Sequence, residues 1–148
     1  MLEFYDVLPF STVAESQIFI GQLQRWYADR QGIRWAITRR GEDVLLGTCG
    51  FFAFDPGFHR AEMGYELGRT YWRQGIMSEA LQAIISFGFD HMNFHRVEAT
   101  VDDDNYRSKS LLTKLGFTYE GCRKQRFYFR ERFIDEHLFG LLKEDWQP

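Results

Sequence analysis

The sequence predicts an α+β domain: a mixed, mostly antiparallel sheet flanked by helices, in one folding unit of 148 residues. Helix-like and strand-like periodicities alternate irregularly, as strands, helix, strand, helix and a closing strand pair, an order that a regular doubly wound fold would not give. No internal repeat, low-complexity tract or linker interrupts them. A chain of this length can bury a real core, and an aromatic content of 18% supplies bulky side chains for it.

Residues 14–30 read as a helix, with Ile18, Leu23, Trp26 and Tyr27 sharing much of one face. Residues 33–40 and 44–54 read as strands rich in aromatic and branched residues, joined by a turn at Arg40-Gly41-Glu42-Asp43. A further strand covers 60–67, and a helix from Ser78 to His91 sets Leu81, Ile84, Ile85 and Gly88 along one stripe. His95 to Val101 alternates as a half-buried strand. Asn105 then opens a second helix, with Leu111, Leu112 and Leu115 facing inward and Gly116 as its stop. Strands at 117–129 and 133–142 close the chain.

A net charge of −3 argues against general nucleic-acid binding, because phosphate backbones need a basic face. No run approaches the ~20 apolar residues of a membrane helix. The first ten residues carry no basic region and do not read as a signal peptide. Two cysteines, Cys49 and Cys122, without metal-like spacing suggest a reduced, cytoplasmic protein. Asp102-Asp103-Asp104 has no second ligand cluster and reads as solvated loop carboxylates, and the four histidines show no pairwise metal spacing, so no metal site is expected.

The chemistry concentrates in Glu62 to Leu81. An alternating strand leads through a basic loop, Arg69 to Gln74, to Gly75 and an amphipathic helix. Glycine lets the backbone approach a ligand, and the first N–H groups of a helix lack partners. Those donors, the helix dipole, Arg69 and Arg73 together suit an anion such as a pyrophosphate. A second constellation is Asn105 and Ser108, three apart at the start of a helix that follows a strand. They read either as a helix cap or as an amide and a hydroxyl beside a ligand entering between two strand ends.

Taken together, A-E-M-G-Y-E-L…W-R-Q-G-I-M-S-E-A-L and R-V-E-A-T-V…N-Y-R-S…L-L-T-K-L-G-F-T-Y-E-G resemble the GNAT acetyltransferases, most closely their ribosomal-protein N-terminal (Rim-type) branch. The resemblance spans about Glu3 to Trp146 and implies acetyl-CoA as donor and a primary amine as acceptor. It implies that the backbone of Tyr65, Glu66, Leu67 and Gly68 pairs with the pantetheine arm. Arg73, Gln74, Gly75, Ile76, Met77 and Ser78 would hold the pyrophosphate. Asn105 would reach the pantetheine side, and Ser108 would lie near the thioester sulfur. Two departures stand out. Trp72 replaces the polar residue that opens the family's phosphate signature, and Met77 replaces a small one and is expected to narrow the cradle. The family's opening strand and helix are expected to be missing, which leaves a sheet edge uncovered and suggests a homodimer.

Acetyl transfer needs an unprotonated amine and a stabilised thiolate. Glu62 and Glu66 share the strand face opposite Met63, Tyr65 and Leu67, so either is a candidate base, Glu62 first. Ser108 is the candidate donor to the departing sulfur. The alternative is a CoA-binding sensor or scaffold that keeps the fold without turnover. Basic and aromatic residues at 123–133 read as an acceptor wall or 3′-phosphate site, or as a solvated hairpin and core.

Overall fold

A computed structural model describes residues 12–129 and 131–148; the expectations for the amino-terminal segment and for Arg130 lie outside the described residues. The elements run α1 (Val13–Ala28), β1 (Ile33–Ile37), β2 (Gly47–Asp55), β3 (Arg60–Leu67), α2 (Ile76–His91), β4 (Arg96–Asp102), α3 (Tyr106–Lys114), β5 (Thr118–Phe129) and β6 (Arg132–Leu142). One-turn 3-10 segments at Arg69–Tyr71 and Lys143–Asp145 complete them. The strands form one sheet in the order β1-β2-β3-β4-β6-β5. Every pairing is antiparallel except β3 with β4. The expected mixed, mostly antiparallel architecture is therefore observed.

Alternation along the strands sends Cys49, Phe51, Ala61, Met63, Val97, Ala99, Phe139 and Leu141 into a common core with the inner stripe of α2 and with Leu112 and Leu115. Leu81 and Ile85 on α2 are completely buried. Gly88 on α2 packs tightly against the rings of Phe51 on β2 and Phe94. A Cβ there would lie 2.9 Å from the Phe94 ring and 3.1 Å from Phe51. Gly88→Ala should therefore destabilise the fold by about 1–3 kcal/mol through overpacking, against alanine's better helix propensity. Urea denaturation reads this directly, and a gain in stability would show that the two rings yield freely.

Three local expectations need correction. The inner side of α1 carries Phe19, Leu23 and Trp26, half-buried, whereas Ile18 and Tyr27 are exposed. The strand expected over 33–40 ends at Ile37, and the next begins at Gly47 rather than at 44. Between them Arg39 leaves the sheet to reach Gln74, 3.3 Å away, and the Tyr71 ring. Helix α2 begins at Ile76, two residues ahead of Ser78, because Gly75 takes the N-cap in the left-handed region at φ 80°.

Candidate active site

The site begins where two parallel strands part. β3 and β4 pair only at Arg60↔Arg96, Ala61↔Val97 and Glu62↔Glu98. Beyond those residues each strand stays paired on its far side, β3 with β2 as far as Leu67 and β4 with β6 as far as Asp102. The facing edges thus form a fork, open to an extended ligand in the way a sheet edge accepts a strand.

The fork opens into a cleft of about 560 Å³ between the start of α2 and α3. Its walls include Tyr65, Glu66, Leu67, Arg73, Gln74, Gly75, Ile76, Met77, Ser78, Asn105 and Ser108. The two sequence constellations therefore meet in one cavity. The backbone N–H groups from Arg73 to Ser78 donate to no acceptor among the described residues, and no side chain caps α2. Arg73 sits at φ 60° and Gly75 at φ 80°, so the loop takes two left-handed turns within the stretch that lines the cleft. A Cβ added at Gly75 meets nothing within 4 Å: the glycine is required by its φ, and it faces open space. Arg73, Arg107 and Lys114 line or flank the mouth and form no ion pair with any described residue, leaving the cleft positive. A positive, donor-lined concavity at a helix start binds anions.

The two family departures acquire physical meanings. Met77 turns its side chain into the core and is 8% exposed, so it contributes its backbone and does not narrow the cleft. Trp72 donates from Nε1 to the Leu67 carbonyl at 2.8 Å. Its ring lies under the Arg107 guanidinium, 4.5 Å from centroid to Cζ, and within 5.7 Å of that of Arg69. A cation–π stack thus ties the loop before α2 to the first turn of α3. Trp72 and Arg107 join the wall of the cleft. Trp72 shows in the sequence as a departure from the family pattern, whereas nothing in the sequence marks Arg107.

The carboxylates divide. Glu62 lies at the vertex of the fork, on the sheet face opposite the core residues Ala61 and Met63. Its side chain makes no hydrogen bond with any described residue, and it is not among the residues lining the cleft. Burial raises its carboxyl above the ordinary value of 4.5, with Glu98 and Glu136 adding to the rise and Arg60 and Arg123 opposing it. Glu66 is different: one carboxylate oxygen takes Arg34 and the other Thr48, and its side chain is 12% exposed. With one oxygen in a cross-strand ion pair and the other held by a hydroxyl, Glu66 braces the sheet, whereas Glu62 has no such partner. Gly68 also departs from expectation. Its N–H is taken by the Leu46 carbonyl at 2.8 Å, and it does not line the cleft.

Asn105 does cap α3, accepting from the Ser108 N–H at 3.1 Å. Both residues nevertheless line the cleft, so capping and lining coexist. Ser108 Oγ lies 2.5 Å from the Tyr65 hydroxyl, and burial pushes that phenol up to about 12. Tyr106, at 73% exposure, stands at the rim with its ring against Lys109.

The remaining polar clusters are accounted for. Asp103 pairs with His137 at 2.8 Å, and Asp104 pairs with Arg132. Arg123, Lys124 and Arg126 face Glu136 and Asp135 across the closing hairpin. Cys49 is buried, and burial raises its thiol to about 11, the setting of a small core residue. Among the described residues no group of three His, Cys, Asp or Glu could hold a metal, and no helix is long and apolar enough to cross a membrane.

Comparison with known proteins decides the family. Residues 3–118 match the acetyltransferase (GNAT) domain. The chain belongs to the GNAT acetyltransferases. The uncharacterized N-acetyltransferase p20 of Bacillus licheniformis is 35% identical over 144 residues, covering 97% of this chain and 81% of that protein. The [ribosomal protein uS5]-alanine N-acetyltransferase of Escherichia coli K12 is 29% identical, covering 89% and 69%. Among solved structures, the ribosomal-protein-S5-alanine acetyltransferase from Vibrio fischeri superimposes with a TM-score of 0.81 at 26% identity, covering 95% and 80%. As a GNAT acetyltransferase the protein is an acetyl-CoA-dependent enzyme that transfers an acetyl group to an amine. The sensor alternative finds no support in these relatives.

Proposed function

We propose that the fork and the Arg73–Ser78 loop together form the acetyl-transfer site, and that the acceptor is the α-amine of a protein or peptide. The observation that carries the proposal is the run of unpartnered N–H groups at the start of α2, opening on the same cleft as Ser108. This chain's residues fit the donor: the Gly75 turn faces space wide enough for phosphate oxygens, and the parted edge of β3 suits an amide-bearing arm. Acetyl-CoA supplies the acetyl group and a thiol leaving group.

The protein's own contributions follow. Arg73 to Ser78 hold the pyrophosphate by backbone donors, with Arg73 and Arg107 supplying positive charge. Tyr65, Glu66 and Leu67 offer the edge of β3. Glu62 takes the proton of the attacking amine, directly or through water. An α-amine has a pKa of about 8, so at neutral pH most acceptor arrives protonated and a base is needed. Ser108 donates a hydrogen bond to the sulfur as charge develops there. The likeness to the [ribosomal protein uS5]-alanine N-acetyltransferase favours the α-amine over a side-chain amine, because alanine carries no side-chain amine.

Further parts of the proposal are a single acting domain over residues 1–148, a reducing cytoplasmic setting that the two free cysteines fit, and a homodimer. The exposed Tyr128–Phe133 pair on the closing hairpin, with centroids 5.1 Å apart, offers such a dimer an apolar contact. The acceptor class is tested by following thiol release from acetyl-CoA with three acceptors. They are a peptide with a free amino terminus, the same peptide with that terminus blocked but a lysine free, and a polyamine. Turnover confined to the first is expected. Turnover with the polyamine alone would overturn the acceptor assignment.

A further inference from the structure

Tyr65 stands on β3 just beyond the vertex of the fork, and its ring packs against the core. Its hydroxyl reaches across the cleft floor to Ser108 on α3, 43 residues away in sequence, with 2.5 Å between the oxygens. Ser108 is its one hydrogen-bond partner among the described residues. A phenol has a single hydrogen, and an unsatisfied donor in apolar surroundings is costly. With Tyr65 donating and Ser108 Oγ accepting, the phenol hydrogen is satisfied within the protein. The serine hydroxyl can donate as well as accept, and no described acceptor claims its hydrogen. The N–H of Ser108 is already held by Asn105 Oδ1, which fixes the backbone that carries the hydroxyl.

We propose that Tyr65 is a positioning residue for acetyl transfer, its hydroxyl bond to Ser108 turning the serine hydrogen outward into the cleft. The inference rests on the role proposed above for Ser108. In the reaction the amine nitrogen bonds to the carbonyl carbon and the carbon–sulfur bond breaks, the sulfur keeping the electron pair. The amine proton passes to Glu62, and solvent protonates the thiolate once it is free. Tyr65 transfers no proton; burial holds its phenol well above neutrality, so it remains a donor throughout. Its effect is to remove the rotational search that a serine hydroxyl would otherwise make before each turnover.

The test is a double-mutant cycle in kcat together with a binding measurement. Tyr65→Phe should lower kcat about tenfold with KM for acetyl-CoA within about twofold, the pattern of an interaction made in the transition state. Ser108→Ala should lower it about thirtyfold, and the double variant should be no slower than Ser108→Ala alone. Calorimetry in alkaline buffer, where the thiol ionises, should show CoA binding about fivefold tighter than desulfo-CoA to the wild type. That preference should vanish equally in both single variants, while desulfo-CoA affinity, which reports an intact cleft, stays constant. A Tyr65→Phe effect of the same size in the Ser108→Ala background would overturn the proposal, as would lost thermal stability with unchanged kcat. Unchanged kcat in Ser108→Ala would instead overturn the role of Ser108, leaving Tyr65 nothing to position.

Discussion

Glu62→Gln should lower kcat about a hundredfold while leaving the affinity for acetyl-CoA within about twofold, the signature of losing a general base. The residue stands at the vertex where β3 and β4 part, its side chain without a hydrogen-bond partner among the described residues, and its carboxyl is raised by burial and by Glu98. A raised pKa brings a base closer to the working pH and makes it stronger when ionised. On the acid side kcat should therefore rise as Glu62 loses its proton, and that limb should disappear in Glu62→Gln. Stability should move the other way. Between the unfolded value, near 4.5, and the raised folded value, the folded protein holds a proton that the unfolded chain has released. Stability contributed by this site is thus lost as pH rises through that window, and at neutral pH the ionised carboxylate is destabilising. Glu62→Gln should melt higher than wild type at neutral pH. A slower but more stable enzyme marks a functional carboxylate; an equally active one would remove Glu62 from the mechanism.

The second large effect is expected at Gly75. Gly75→Val puts a β-branched residue at φ 80°, where the left-handed region costs an ordinary residue roughly 1–2 kcal/mol. A Cβ there would meet no atom within 4 Å, and the residue lines the cleft, so bulk is added at the site with no clash to the fold. The fold should survive with a modest loss of stability, while affinity for CoA falls about a hundredfold, or ~2.7 kcal/mol. Gly75→Asn separates the causes, because asparagine tolerates the left-handed region. It should recover the lost stability without recovering the affinity. A folded Gly75→Val variant that binds CoA as tightly as wild type would show that the cradle lies elsewhere.

Much of this architecture is legible in the sequence because it rests on short-range periodicity. The alternation of Met63, Tyr65 and Leu67 and the stripe of Leu81, Ile84, Ile85 and Gly88 each place one buried face. The Gly75 junction is legible for a similar reason: only a few residues around it decide the turn. Periodicity failed in α1, where apolar residues occupy more than one side of the helix. Ile18 and Tyr27 stay exposed while Phe19 turns inward. It also failed where a partner distant in sequence decides the outcome. Glu66 and Glu62 are indistinguishable as alternating polar residues. Arg34, 32 positions from Glu66, claims the one, and no described residue hydrogen-bonds the side chain of the other. The Tyr65–Ser108 contact and the Trp72–Arg107 stack were hidden for the same reason.

The most direct test of the site is the response of individual backbone amides to CoA, read by heteronuclear NMR on the uniformly labelled protein. The amides of Gln74 to Ser78 should shift most, because their N–H groups gain anionic acceptors, and those along Tyr65 to Leu67 should follow as the fork is filled. A second depression, lined by Tyr27, His59, Arg60 and His91, lies at the opposite end of β3 and α2 and should be silent. Shifts centred on that depression, with Gln74 to Ser78 unmoved, would contradict the account.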